Sequence, residues 1–414
     1  MTLTEQFKKV KESSYQLALV EHDIKQKVVE KLADKLISDT SDIIAQNQLD
    51  LAKMSKEDPK YDRLLLTKER IYAIAMSLKT IAIMDSPIWQ TLESYTLANG
   101  LYLEKKTVPL GVIGIIYEAR PNVTLEAFVL CFMSSNACIL KGGMDAQHTN
   151  DYFGELILTT LQENKVPACL FLMPAQRETV KELLNAKGLV DLIIPRGSQA
   201  LIDFVKQNTT IPIIETGAGV VHTYVDSSAD VDIAQKVITN AKTRRVSVCN
   251  ALDCLIVHKE MLPVLQKIVF LLKDKGVKIY ADDQALAALQ GHYPEALLSK
   301  ATPQEYGKEF LSMQMAIKTV DNLKQAILHI RQYSSGHSEA IIAEDHAARA
   351  QFFLEVDAAV VYANTSTAFT DGGEFGMGGE IGISTQKLHV RGPFSMQHLV
   401  STKWLVSGRG QVRA

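Results

Sequence analysis

The sequence predicts an α/β protein with a doubly wound, mostly parallel sheet. Short apolar runs without alternation recur between residues 112 and 214, as expected for strands that helices cover on both faces. Segments with a helical spacing of apolar residues separate these runs, which is the pattern of consecutive β-α units. A chain of 414 residues is also long enough for two or three domains, each with its own core.

The first sheet is predicted to contain five strands, each followed by polar residues or glycine, at 112–116, 137–140, 169–173, 190–194 and 211–214. Helical periodicity predicts helices between residues 4 and 55, with Thr4 as the first cap, and over residues 67–84. Asn99-Gly100 predicts a tight turn before a strand over 101–108, because these two residue types accept positive φ values.

A second α/β block is predicted after residue 230. Its strands are expected near 254–257, 277–279, 315–319, 340–342 and 358–362, and its helices at 231–242, 261–273, 321–333 and 345–353. A strand-like segment follows over 399–406. Because sheets of this type bind ligands at the carboxyl ends of their strands, the polar residues at those ends are the candidate site.

Composition and charge exclude several classes of protein. The chain is 47% hydrophobic and 22% charged, and its net charge of −3 predicts no global attraction to nucleic acid or to a membrane. Neither a signal-peptide core nor a run of membrane-spanning length is expected. Five cysteines are few and odd in number, which favours a reducing compartment over a disulfide framework. The sequence therefore predicts a cytoplasmic protein.

The most informative stretch, residues 241–258, contains Cys249 after two arginines. A thiolate is a strong nucleophile, and neighbouring positive charge lowers the pKa of a thiol. Arg244 and Arg245 could supply that charge, or they could bind an anionic substrate beside the sulfur. A buried, inert thiol is the alternative, because free cysteine is among the most buried residue types.

Three further polar residues follow predicted strands of the first sheet. Lys141, before Gly142, could bind a phosphate, or it could be a solvated lysine at a tight turn. Glu215 could act as a general base or cap the next turn. Asn122 could donate its amide N–H to an oxyanion or cap the helix that follows it. The residues by themselves leave these alternatives open.

Common cofactor and metal motifs are absent from the sequence. No GxGxxG follows a strand, and no GxxxxGK precedes a serine or threonine, so the usual phosphate-binding fingerprints are missing. No HExxH or CxxC occurs, and the ten histidines show no ligand spacing. The sequence therefore predicts no metal site.

Several segments occur together in an order that resembles the aldehyde dehydrogenase superfamily and, more closely, its γ-glutamyl phosphate reductase branch: VPLGVIGIIYEARPNVT, ILKGG, IPRGS, ETGAG, VCNA, YSSGHSEAI and FGMGGEIGISTQKLHVRGP. The resemblance covers nearly the whole chain. It implies an aldehyde dehydrogenase-like α/β fold with a Rossmann-type NADP-binding domain, a second α/β catalytic domain and a small β oligomerisation element. The implied bounds of these parts are, in that order, 1–94 with 110–217, then 218–390, then 95–109 with 391–414.

The resemblance also implies roles for individual residues. Cys249 is similar to the nucleophilic cysteine, Asn122 to the oxyanion-hole asparagine and Glu215 to the general-base glutamate. The residues implied to bind NADPH, which this superfamily holds without the glycine fingerprint, are Lys141, Gly142, Arg196, Gly197, Ser198 and Glu309. The candidates for binding the carboxylate and phosphate of the substrate are Arg244, Arg245, Ser335 and His337.

The implied reaction is the NADPH-dependent reduction of L-glutamyl 5-phosphate to L-glutamate 5-semialdehyde and phosphate, through a thioester on Cys249. This is the second step of proline biosynthesis from glutamate. A homodimer or homotetramer is implied, as is functional coupling to a glutamate kinase, because the substrate is unstable. An enzyme that acts on a CoA thioester or oxidises a free aldehyde is the alternative. One departure from the branch is Asp253-Cys254, where a Glu-Thr pair is usual, and it places a second thiol near Cys249.

Overall fold

The computed structural model describes residues 1–58, 60–118 and 120–413. The chain divides into two compact units. Unit 1 comprises Met1–Thr216, Gly376–Gly382 and Phe394–Ala414, and unit 2 comprises Gly217–Phe375 and Ile383–Pro393. Each unit contains a parallel sheet with helices, which confirms the predicted α/β class. In the part of the chain that the structure describes, no helix combines the length and the apolar character needed to cross a bilayer.

The helices of unit 1 are α1 (Leu3–Leu17), α2 (His22–Ser38), α3 (Thr40–Leu51), α4 (Tyr61–Leu64), α5 (Lys68–Ala82), α6 (Asn122–Met133), α7 (Gln147–Glu163), α8 (Thr179–Leu184) and α9 (Gln199–Asn208). Its first six strands are β1 (Thr91–Thr96), β2 (Tyr102–Pro109), β3 (Val112–Tyr117), β4 (Ala137–Lys141), β5 (Leu170–Leu172) and β6 (Leu192–Arg196). A parallel sheet has the order β5-β4-β3-β6, so the chain extends to one side of β3 and then returns to the other. All residues of β3 are buried, which explains its continuous apolar sequence.

Two predictions for unit 1 are wrong in detail. The fifth strand, 211–214, is reduced to an isolated bridge between Ile213 and Ile193, because Pro212 has no N–H to extend a ladder. The first helix is capped by Thr2 rather than Thr4. The Thr2 hydroxyl accepts from the Glu5 N–H, and the Glu5 carboxylate accepts from the Thr2 N–H at 2.8 Å, so the two residues satisfy each other.

The helices of unit 2 are α10 (Val231–Thr243), α11 (Leu265–Ile268), α12 (Phe270–Asp274), α13 (Asp283–Leu289), α14 (Pro303–Tyr306), α15 (Leu323–Tyr333) and α16 (His346–Glu355). Its strands are β7 (His222–Val225), β8 (Cys254–His258), β9 (Lys278–Ala281), β10 (Leu298–Lys300), β11 (Gln314–Val320), β12 (Ser338–Ile342) and β13 (Val360–Ala363). They form one parallel sheet in the order β10-β9-β11-β8-β7-β12-β13.

Unit 2 also differs from the sequence prediction. Strand β7, which lies near the centre of the sheet, was not predicted. The single helix expected over 261–273 is instead a 3-10 segment, Lys259–Val264, followed by the short helices α11 and α12. Pro263 lies inside the 3-10 segment, where the missing N–H opposes a regular α-helix.

Two small sheets complete the fold. Strands β14 (Gly382–Ser384) and β15 (Gly392–Phe394) pair with each other. Strand β16 (Val400–Ser407) adds to the predicted hairpin, so that β1, β2 and β16 form an antiparallel sheet. This second sheet exposes several large apolar side chains, namely Leu92, Tyr95, Trp404 and Val406.

Candidate active site

Cys249 lies in unit 2, on the connection between α10 and β8. Since α10 ends at Thr243 and β8 begins at Cys254, a turn rather than the sheet carries the Cys249 sulfur. All five cysteines are within the described residues and none of them forms a disulfide, and Cys249 alone is partly exposed. Cys249 is therefore not a buried thiol, and its role as the nucleophile stays a prediction.

The segment that precedes β7 packs its backbone directly against the Cys249 turn. A Cβ on Gly219 would lie 1.7 Å from the Cys249 carbonyl oxygen, so this position admits only glycine. The Gly219 N–H donates to Glu309 Oε1 at 3.0 Å, and the Val220 N–H donates to Ser335 Oγ at 2.9 Å. Glu309 and Ser335 therefore fix the segment against which the cysteine turn packs.

Asn250 anchors the other side of the cysteine turn. Its buried side-chain Nδ2 donates to the Thr370 carbonyl at 3.0 Å. The Thr367 hydroxyl donates to the Asn250 carbonyl at 2.8 Å. Because buried polar groups are costly to leave unpaired, these bonds hold the backbone beside Cys249 in one arrangement.

A buried ion pair links the two ends of the same connection. Lys242 Nζ is 3.9 Å from Asp253 Oδ1 and donates to the Leu252 carbonyl at 2.7 Å. Asp253 also accepts from the Phe310 N–H at 3.0 Å. Burial is the main cause of two shifts: it raises the pKa of Asp253 to about 7 and lowers the pKa of Lys242 to about 8. The charge state of this pair therefore changes near neutral pH.

The four candidate substrate residues have different environments. Arg244 and Arg245 are exposed at the start of the connection. Ser335 is partly exposed and accepts from Val220. His337 is fully buried, and burial lowers its pKa to about 4. A neutral imidazole supplies no positive charge to a carboxylate or phosphate, but its N–H can still donate a hydrogen bond to one. The expectation that His337 binds the substrate therefore stays a prediction, with hydrogen bonding rather than charge as its basis.

In unit 1, the candidate cofactor residues lie at the carboxyl ends of parallel strands. Lys141 ends β4 and Arg196 ends β6, on either side of the last residues of β3. Lys141 is buried, and its Nζ donates to the carbonyls of Gly142 and Ala175, each at 2.9 Å. Burial lowers the pKa of Lys141 to about 8. The alternative of a solvated lysine is therefore wrong.

Gly142 and Gly197 lie so close to neighbouring side chains that a Cβ at either position would displace them. A Cβ on Gly142 would lie 2.4 Å from Asn150 Nδ2, and one on Gly197 would lie 2.7 Å from Glu118 Oε2. The Glu118 carboxylate also accepts from the N–H of Ser198 at 2.9 Å and from its hydroxyl at 3.2 Å. Because Ser198 is the N-cap residue of α9, the carboxylate lies at the positive end of that helix.

Asn122 is the first residue of α6, and its side chain does not cap that helix. Pro121 holds the capping position, so the alternative in which Asn122 is the cap is wrong. Instead, Asn122 Nδ2 donates to Glu126 Oε2 at 3.3 Å, one turn further along the helix. Burial raises the pKa of Glu126. The carboxyl group of Glu126 therefore orients the amide of Asn122.

Glu215 lies between the shortened fifth segment and the end of unit 1. Its Oε1 is 2.8 Å from Lys206 Nζ of α9, and both side chains are partly exposed. An exposed pair of this kind contributes about 1 kcal/mol or less to stability. The ion pair therefore defines the position of the Glu215 carboxylate but adds little to the free energy of unfolding.

Comparisons with known proteins place this arrangement in a family. The model of the aldehyde dehydrogenase family matches residues 5–284, which is more than half of the chain. The chain belongs to the aldehyde dehydrogenase family. This result confirms the predicted superfamily and the aldehyde dehydrogenase-like fold.

Within the family, the chain is similar to proteins named γ-glutamyl phosphate reductase. That of Legionella pneumophila (strain Lens) is 53% identical over 412 residues, 99% of each chain. That of Chlorobium limicola is 52% identical over 414 residues, 100% of this chain and 99% of the relative. The crystal structure of the Thermotoga maritima protein has a TM-score of 0.93 at 37% identity and 99% coverage of both chains. These similarities confirm the branch predicted from the sequence.

Three residues of the site were missed by the sequence analysis. Glu126 had a readable signal, because residues four apart on a helix share a face and Glu126 follows Asn122 by that spacing. Gly219 stands in the ETGAG segment, but the need for a glycine there arises from the approach of Cys249, which is 30 residues further on. The contact of Glu118 with Ser198 joins residues 80 positions apart, and no local pattern indicates it.

Proposed function

We propose that this chain reduces L-glutamyl 5-phosphate to L-glutamate 5-semialdehyde and phosphate with NADPH, the second step of proline biosynthesis. The observation that carries the proposal is the partly exposed thiol of Cys249, in a chain whose full-length relatives are γ-glutamyl phosphate reductases. An accessible thiol suits this reaction because a thiolate is a good nucleophile toward a mixed anhydride and phosphate is a good leaving group.

In the first step, the Cys249 thiolate forms a bond to the acyl carbon, and the bond from that carbon to the phosphate oxygen breaks. Phosphate leaves with the electron pair of that bond and needs little protonation. The proposed oxyanion donors are the Asn122 amide and the backbone N–H of Cys249. Glu126 supports this role of Asn122 by holding Nδ2 at 3.3 Å. A thioester on Cys249 remains.

The residues of unit 1 fit a dinucleotide cofactor. The cationic side chains of Lys141 and Arg196 flank the end of β3, at the point where the strand order reverses, and open α/β sheets bind such ligands there. When bound, NADPH supplies the hydride that converts the thioester to the semialdehyde. The proposed cofactor-binding residues of unit 1 are Lys141, Gly142, Arg196, Gly197 and Ser198. Glu309, which lies in unit 2 and accepts from the Gly219 N–H, is the remaining proposed cofactor-binding residue. The C–S bond then breaks, and Cys249 regains its thiolate.

The proposal gives the remaining site residues smaller roles. No water attacks in the reductive direction, so no general base is required of Glu215, whose carboxylate stays paired with Lys206. The exposed Arg244 and Arg245 are the proposed partners of the substrate's carboxylate and phosphate. Ser335 and His337 are proposed to shape the wall of the substrate site.

The test is the reverse reaction with the purified full chain. L-Glutamate 5-semialdehyde, inorganic phosphate and NADP⁺ are mixed, and NADPH formation is followed by absorbance. We expect a rate that requires phosphate and saturates with it. A rate that is independent of phosphate would indicate oxidation of a free aldehyde, and one that requires CoA would indicate an acylating dehydrogenase; either result would refute the proposed substrate.

We further propose that unit 1 binds the cofactor, that unit 2 carries the nucleophile, and that the β1-β2-β16 sheet joins copies of the chain into a homodimer or homotetramer. The exposed Trp404 and Val406 of that sheet support the assembly. Trp404→Glu is expected to reduce the molar mass measured by light scattering to that of the monomer.

The proposed location of the enzyme is the cytoplasm, which the absence of a disulfide among the five cysteines supports. A glutamate kinase is the proposed source of the unstable acyl phosphate.

A further inference from the structure

Three side chains with metal-binding atoms meet inside unit 2, and none of them has a role in the reaction assigned to Cys249. His222 and Cys254 are the first residues of neighbouring parallel strands β7 and β8, and they pair directly in register. His329 comes from helix α15, and its ring lies 5.6 Å from that of His222, centroid to centroid. Two strands and one helix of the same unit therefore bring an imidazole, a thiol and a second imidazole together.

The distances suit a small cation. One ligand atom from each residue lies within 4.8 Å of the other two, and Cys254 Sγ is 3.7 Å from His329 Nε2. A tetrahedral zinc ion with bonds of about 2.3 Å to sulfur and about 2.0 Å to nitrogen would place those two atoms roughly 3.5 Å apart.

His222 provides a second, independent observation. Its Nδ1 is 3.2 Å from the Glu339 carboxylate, on the neighbouring strand β12, and Ser334 donates to the same carboxylate. Its Nε2 is fully buried and has no hydrogen-bond partner among the described residues. A carboxylate that accepts from one ring nitrogen fixes the tautomer in which the other nitrogen can bind a metal. Nε2 is therefore the His222 nitrogen that is available to bind a metal.

Charge and burial point to the class of ion. Cys254 and His222 are fully buried, whereas His329 is 8% exposed, which gives the cluster its contact with solvent. A thiolate and the Glu339 carboxylate carry two negative charges, and a divalent cation neutralises both in a place where unbalanced charge is costly. Thiolate and imidazole together favour zinc over calcium or magnesium, which prefer oxygen ligands.

We propose that His222, Cys254 and His329 provide three of the four ligands of a tetrahedral zinc site, with Glu339 positioning His222 and the fourth position open to water. The ion binds the two imidazole nitrogens and the sulfur, the S–H bond of Cys254 breaks, and its proton passes to solvent. The site ties α15 to the centre of the sheet. No spacing motif announces it, because Cys254 is 32 residues after His222 and His329 is another 75 residues further along.

The experiment uses the purified full chain, freed of metal by a chelator under reducing conditions. Zn²⁺ is titrated against a competing chromophoric chelator, and Co²⁺ is added separately to detect a thiolate-to-cobalt charge-transfer band. We expect one equivalent of either ion per chain. Cys254→Ser should abolish the band and weaken Zn²⁺ binding by more than about 100-fold, while Glu339→Gln should weaken it by about 10- to 100-fold.

Two matched variants separate this site from the other thiols. Cys249→Ala removes the accessible thiol and Cys169→Ala removes a buried thiol of unit 1, and both should retain the band and the affinity. If Cys254→Ser does not fold, His329→Gln takes its place and should lose affinity by a similar factor. The absence of stoichiometric binding in the wild type, or a band that disappears in Cys249→Ala, would overturn the proposal. Turnover is not the readout, so failure here leaves the proposed reductase activity standing.

Discussion

Cys249 and Cys254 are five residues apart and have opposite surroundings. Cys249 sits on a turn and is partly exposed, whereas Cys254 is the first residue of β8 and is fully buried. The turn is held through its backbone, by Gly219 and Asn250, and the Cys249 side chain is partly exposed. The reactivity of a thiol thus depends on the structural element that carries it. Two cysteines close together in the sequence therefore have different chemistry, because one lies on a turn and the other begins a buried strand.

The surroundings of Cys254 make it a poor nucleophile. It belongs to an apolar cluster with residues such as Tyr306 and Ile327. Burial, followed by the charge of nearby Glu339, raises the pKa of the Cys254 thiol well above its usual value. Without a metal, the thiol therefore keeps its proton at neutral pH, and its nucleophilicity is low because the thiolate is the reactive form.

The largest expected effect is the loss of turnover in Cys249→Ala. If Cys249 forms the covalent bond, kcat for NADPH-dependent reduction should fall by about 10⁴-fold or more, because removal of a nucleophile leaves only binding and oxyanion stabilisation. Cys169→Ala, which removes a buried thiol elsewhere, is the control and should stay within a few-fold of the wild type. Turnover in Cys249→Ala within tenfold of the wild type would rule out the covalent step.

The second prediction compares the two thiols directly through alkylation. Iodoacetamide at pH 7.5 should modify Cys249 roughly 10³-fold faster than Cys254, because reaching a buried thiol requires a local opening that costs about 4 kcal/mol or more. Peptide mass spectrometry over a time course measures both rates in one sample. The buried Cys131 and Cys138 serve as internal controls and should react as slowly as Cys254. Equal rates at Cys249 and Cys254 would contradict the difference in accessibility between the two thiols.

The third prediction concerns Gly219→Ala, a substitution that shifts the Cys249 turn and leaves Cys254 in place. In Gly219→Ala the new methyl group meets the Cys249 carbonyl, so the turn must shift, and a shift of about 1 Å at a reacting group costs roughly 100-fold in kcat. Gly307→Ala is the control, because its Cβ would meet the Tyr333 ring at 3.3 Å and the Tyr333 carbonyl oxygen at 3.9 Å, and no backbone atom closer than that. Steady-state kinetics of both variants provide the measurement. Wild-type kcat in Gly219→Ala would show that the close approach does not position the sulfur.

The sequence predicts those features around the two cysteines that depend on residues close to each other in the chain. The apolar runs of β3 and β8 are continuous because both strands are covered on two faces, and that pattern is visible without a structure. Strand β7 was missed because HTYV mixes polar and apolar residues, although all four are buried at the centre of the sheet. Its first residue, His222, becomes interpretable only when Cys254 and Glu339 are seen to be its neighbours.

The candidate site shows the same limit. The accessible cysteine, the lysine at the end of β4 and the asparagine at the start of α6 are residue types whose chemistry can be read from the sequence. Their surroundings cannot, because burial of Lys141 and the contact between Asn122 and Glu126 depend on packing. A non-local contact such as that of Gly219 with Cys249 leaves no periodic trace in the chain.

The smallest expected effect is a pH dependence of stability. It arises from Asp253, which lies between Cys249 and Cys254 in the sequence. Its pKa is raised to about 7 in the folded protein, so from about pH 4 to pH 7 the native state holds a proton that the unfolded state has lost. The contribution of Asp253 is therefore present at about pH 4 and is lost as the pH rises to 7. Lys242 acts in the opposite sense: its pKa is lowered to about 8, so its contribution returns as the pH rises from 8 toward 10.5.

Asp253→Asn tests this linkage. The free energy of unfolding of both proteins is measured by urea denaturation at pH 4.5, 6 and 7.5. The wild-type value minus the Asp253→Asn value should fall as the pH rises, by at most about 1.4 kcal/mol per pH unit. Asp345→Asn, which changes an exposed carboxyl of the same unit, is the control and should show no such slope. A difference that is constant with pH, or that grows in favour of the wild type, would mean that Asp253 is ionised throughout this range. The buried pair would then hold a fixed charge beside the cysteine turn, rather than one that changes near neutral pH.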